Sequence, residues 1–129
     1  MVMLASLFAV AAAFPAVSAE LATQKNSERG VTVAVTPQDL SSNARIWEFK
    51  IVLDTHSGDL SDDLLKTAVL LDGTGTQHVP VAWDGAVPGG HHREGVLKFK
   101  PVSPTPATIE LQIKRAGEAN PRSFRWQLK

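Results

Sequence analysis

Hydrophobic and polar residues alternate with a period of two along most of this chain, most clearly between Arg45 and Thr55. Trp47, Phe49, Ile51 and Leu53 fall on one face there, and Glu48, Lys50 and Asp54 share the other with Val52. A strand with one side in a core and one in water has this period, because successive side chains leave the backbone on opposite sides. The same pattern places a first strand at Val31, Val33 and Val35, stopped by Pro37 and expected at a sheet edge. Further runs lie at Thr67–Leu71, Gln77–Trp83, Gly95–Lys100, Thr108–Lys114 and Phe124–Leu128. In the second of these, Val79, Val81 and Trp83 are expected to face inward together, with Pro80 confining the run to an edge.

The punctuation between the runs is that of a β protein. Asp72-Gly73-Thr74-Gly75 supplies the glycines of a tight hairpin, and Asp84–Glu94, PVSPTP and AGEANPR read as loops. About seven short strands without a convincing helix predict an all-β, immunoglobulin-like antiparallel sandwich over residues 31–129. A closed barrel of about eight strands is the second choice. Ser61–Leu65 has room for one helical turn, with Ser61 as its cap and Asp62 and Asp63 as its negative charge. Glu20–Gly30 is polar and aperiodic, and reads as a flexible lead-in.

Composition adds a compartment. Met1–Ala19 holds no charge, consists mostly of Ala, Val, Leu and Phe, and closes on Val17-Ser18-Ala19, the small residues a signal peptidase reads. No Lys or Arg precedes its apolar run, but Pro15 and the weakly hydrophobic, Ala-rich content favour a cleaved signal peptide over a membrane anchor. The expected product is periplasmic or secreted, with no stable membrane insertion after cleavage. Cysteine is absent, which removes disulfides, thiol chemistry and a lipoprotein anchor. Thirteen basic residues balance thirteen acidic ones, so no overall field points to nucleic acid or an anionic membrane. The basic residues Lys114, Arg115, Arg122, Arg125 and Lys129 gather late in the chain, the usual mark of a solvated face.

Candidate chemistry follows from the loops. Consecutive antiparallel strands send alternate connections to one end, so Asp54–Asp63, Asp84–Glu94 and Ala116–Arg122 are expected together. That end would hold His56, His91 and His92, while His78 would lie toward the other. With Asp54 or Glu94 as an oxygen ligand, the three histidines make a candidate Zn or Cu(II) site, although their spacing matches no established metal signature. Asp54, Asp59, Asp62 and Asp63 suggest calcium, but their spacing is not that of an EF-hand loop. No other cofactor is expected. The chain lacks G-x-S-x-G, H-E-x-x-H and phosphate-loop motifs. Ser57 beside His56 is adjacency in sequence, not a nucleophile in contact with its base. The expectation is therefore a protein that is not an enzyme.

The phrases LDTHSGDL and GGHHREGVLKF resemble small exported bacterial proteins of immunoglobulin-like type, over about Val31 to Leu128. The resemblance implies export and a sandwich fold, and attaches no activity to any residue. Two function classes remain. One is an exported binding or assembly module that contacts another extracytoplasmic protein through a sheet edge or loop end. The other is a metal-handling protein using His56, His91, His92, Asp54 and Glu94.

Overall fold

The computed structural model describes residues 21–129, and the signal peptide expected at Met1–Ala19 lies outside them. The chain runs through β1 (Gln24–Glu28), β2 (Val31–Pro37) and β3 (Trp47–Thr55), then helix α1 (Leu64–Thr67). It continues through β4 (Ala68–Asp72), β5 (Gln77–His78), β6 (Ala82–Gly85), β7 (His92–Phe99), β8 (Thr108–Ile113) and β9 (Arg122–Gln127). Two antiparallel sheets result, ordered β1-β2-β3-β7-β6 and β5-β4-β8-β9. No strand pairing joins them among the described residues, so the barrel alternative is set aside.

The inward faces form one core. Trp47, Phe49, Ile51 and Leu53 of β3 are fully buried, with Leu97 and Phe99 of β7 beside them. Ile109, Leu111, Ile113, Phe124 and Trp126 line the second sheet. Phe49 meets Phe99 edge-on at 5.6 Å between ring centres, and lies 5.8 Å from Trp126 across the core. Edge-to-face contact is the favoured aromatic geometry, and burying a side chain of this kind contributes about 1.5–3 kcal/mol.

Three local expectations are corrected. The lead-in contains strand β1, so β2 is flanked on both sides and is not an edge. What orders β1 is distant in sequence: the Gln24 side-chain amide bonds both backbone groups of Arg125, and Arg122 donates to the carbonyls of Asn26, Glu28 and Val31. Next, the run Gln77–Trp83 does not stay in one sheet. β5 pairs with β4, the chain crosses at Val79-Pro80-Val81, and β6 pairs with β7. Val79 and Val81 therefore end up exposed, while Trp83 packs partly buried against the core. Finally, α1 is capped by Asp63, whose carboxylate accepts from the Leu65 amide at 3.2 Å, not by Ser61.

The loop partition holds. Backbone bonds tie Leu60 to Gly89 and Gly90, and Arg115 reaches Asp62, so the three loops after β3, β6 and β8 share one end. The β1–β2 turn joins them through a bond from Arg29 to the Gly117 carbonyl. His78 lies at the opposite end, beside the β4–β5 hairpin. No helix among the described residues is long and apolar enough to cross a membrane.

Candidate functional site

Arginine side chains from beneath build the loop end. Along β7 the inward positions are Arg93, Gly95, Leu97 and Phe99, so the strand's own alternation carries a guanidinium into the core. Arg93 is fully buried and donates to the carbonyls of Leu60 (3.1 Å), Asp62 (2.7 Å) and Ala86 (3.3 Å). No carboxylate faces it among the described residues, and its Nε has no partner there. The Trp83 ring, 5.6 Å from the guanidinium carbon, supplies a cation–π contact. Sequence reasoning missed this residue, although the period of two through Leu97 and Phe99 already pointed it inward.

Two further arginines hold the third loop. Arg115 grips Asp62 with two bonds, at 2.8 and 3.0 Å, and Asp62 keeps the guanidinium firmly charged. Arg122, also fully buried, makes a bidentate pair with Glu118 at 3.0 and 2.8 Å. That pairing holds the Glu118 carboxyl below its ordinary range.

The titratable cluster lies on the outer face of the first sheet. Asp54 and His92 stand opposite each other on β3 and β7, with Asp54 Oδ1 2.5 Å from His92 Nδ1. Glu94 follows His92 by two residues, so both project from the same face, with Glu94 Oε2 3.4 Å from His92 Nε2. The Asp54 hydrogen bond and charge, helped by Glu94, raise the basicity of the imidazole. All three side chains are exposed.

The remaining expected ligands do not join them. His91 gives its backbone carbonyl to the Thr55 amide, and its side chain is exposed, as is that of His56. Among the described residues no group of three or more His, Asp and Glu side chains is arranged to hold a metal ion. The acidic run also diverges: Asp54 faces His92, Asp59 accepts from the Gly90 amide, Asp62 holds Arg115 and Asp63 caps α1. At the other end, Asp72 accepts from the Thr74 hydroxyl, from His78 and from the Thr74 and Thr76 amides. The Thr74 hydroxyl first, then His78, hold its carboxyl far below the usual range. This histidine fastens a hairpin.

An open groove of about 1260 Å³ lies at that opposite end, between Leu21, Pro37, Leu40 and Leu128. It contains none of the histidines.

The two flanks of the sandwich differ. On the β1/β9 side, Gln24 bridges to Arg125 and the Trp126 indole donates to the Ala22 carbonyl at 2.8 Å. On the other side, β6 is the terminal strand of its sheet and β5 of the other. No family model, curated protein or solved structure matches this chain.

Proposed function

We propose that this chain is an exported, non-catalytic, immunoglobulin-like sandwich module that holds another extracytoplasmic protein along its β5–β6 flank. One observation carries this reading. The exposed large hydrophobic residues among those described are Leu65 (43% exposed), Val79 (69%), Val81 (47%) and Val87 (79%), and all lie on or beside that flank. Val79 and Val81 lead into β6, Val87 follows it by two residues, and Leu65 sits on α1, which packs against β6. A terminal strand offers backbone donors and acceptors to an incoming strand, and apolar side chains beside it give that strand something to bury.

The non-catalytic part is supported by the sequence, which contains no established catalytic motif. Export is supported by the uncharged apolar stretch Met1–Ala19, and N-terminal sequencing of the protein recovered outside the cytoplasm should begin at Glu20.

The test is site-specific photocrosslinking in the exported fraction, with the probe placed in turn at Val79, Val81 and Val87, and at Lys25 and Ser123 as controls. One discrete adduct at the flank positions and none at the controls is expected. The Val79→Asp/Val81→Asp variant should lose it. Adducts of equal strength at all sites, or none at the flank, would overturn the reading.

A further inference from the structure

We propose that His92 Nε2 and the Glu94 carboxylate chelate a divalent cation of the zinc class, with Asp54 holding the imidazole from behind. This does not depend on what the β5–β6 flank binds.

The geometry carries it in three steps. His92 and Glu94 are two apart on β7, so the strand itself sends both from one face, without help from a loop. Their donor atoms stand 3.4 Å apart. Two ligands at neighbouring corners of a tetrahedron, with bonds of about 2.0–2.1 Å, lie about 3.3 Å apart. An ion can therefore enter between these atoms with little movement of either side chain.

The second step concerns the other ring nitrogen. Asp54 lies on the neighbouring strand, with Oδ1 2.5 Å from Nδ1. A carboxylate can only accept, so Nδ1 carries the proton that points to Asp54, and Nε2 is left as the ligand nitrogen. An outer carboxylate orienting a ligating imidazole through its far N–H is the usual support of a zinc–histidine bond. The ion takes the place of the Nε2 proton, which leaves to solvent.

The third step is donor type. One imidazole nitrogen and carboxylate oxygen, without any cysteine, suit Zn or Cu(II) better than Cu(I). Two protein donors leave the rest of the coordination sphere to water or to a donor from a bound molecule, so this is an open, exchangeable site. The assignment differs from that expected from the loops: Asp54 orients rather than ligates, and His56 and His91 take no part.

Titration of the whole mature chain with zinc chloride, followed by calorimetry and by the NMR signals of the histidine rings, tests this. The unmodified protein should bind zinc with the His92 ring shifting most. His92→Ala should abolish binding and Glu94→Gln should weaken it at least tenfold. Asp54→Asn should weaken it about 10- to 100-fold, as loss of an outer partner does. His56→Ala, His91→Ala and His78→Ala should leave it unchanged. Absence of heat and ring shifts in the unmodified protein would overturn the proposal. So would undiminished binding by His92→Ala, or equal loss in His56→Ala or His91→Ala.

Discussion

Trp83 lies over Gly95 so closely that a β-carbon on the glycine would sit 2.7 Å from indole Cζ2 and 2.7 Å from the Gly85 α-carbon. No real β-carbon tolerates such distances, so β6 and β7 approach as they do only because both positions are glycine. Gly95→Ala should therefore cost about 1–3 kcal/mol in urea unfolding, the range of an overpacked core. Gly73→Ala is the control. Its β-carbon would meet nothing closer than Thr108 Oγ1 at 3.7 Å, and its effect should stay within about 0.5 kcal/mol.

Phe49 joins the two sheets by touching Phe99 in one and Trp126 in the other. Phe49→Ala should cost about 3–5 kcal/mol, a large part of the stability of a domain this size. A loss below about 1 kcal/mol would mean that the core closes over the gap.

The Glu118–Arg122 pair lies almost wholly out of water. Glu118→Ala leaves a buried guanidinium with carbonyls and only the half-exposed Glu28 carboxylate, 3.9 Å away, and should cost about 3–5 kcal/mol at neutral pH. The pH dependence has a definite sign. The carboxyl is held below its ordinary value of 4.5, chiefly by hydrogen bonds from Arg122. Its contribution is therefore complete above pH 4.5 and lost as pH falls through the lower folded value. The stability–pH curve of Glu118→Ala should be flatter in that acid range.

Arg93→Met keeps bulk but releases the carbonyls of Leu60, Asp62 and Ala86. The amides of Leu60, Gly89 and Gly90, which bond across the two loops, should exchange with solvent at least about tenfold faster, an opening easier by about 1.4 kcal/mol. Amides in the middle of β3 should not change. Uniform acceleration everywhere would instead indicate a global loss of stability.

Local alternation made the inward faces of β3, β8 and β9 legible, and the antiparallel order of the strands placed the loops correctly at two ends. What escaped depends on partners far along the chain. The sequence QKNSE has no strand pattern of its own, and β1 exists because Gln24 and Arg122 connect it to residues some hundred positions away. The exposure of Val79 and Val81 follows from a change of sheet at Pro80, which a period of two cannot express. In the candidate metal set, backbone periodicity explains why His92 meets Asp54 and Glu94. Nearness of loops groups His56 and His91 with them, but it does not fix where a ring points.

The order in which the chain visits its sheets has a kinetic consequence. Strands β1 to β3 belong to the first, β4 and β5 to the second, β6 and β7 to the first again, and β8 and β9 to the second. Neither half can assemble as a contiguous segment, and β9 brings Phe124, Trp126 and Arg122 to the core together. Folding should therefore be cooperative and slow, with the core complete only when this strand docks, because most contacts join distant segments. A chain shortened to end before Arg122 should be degraded by trypsin as fast as an unfolded polypeptide, and the intact chain should resist.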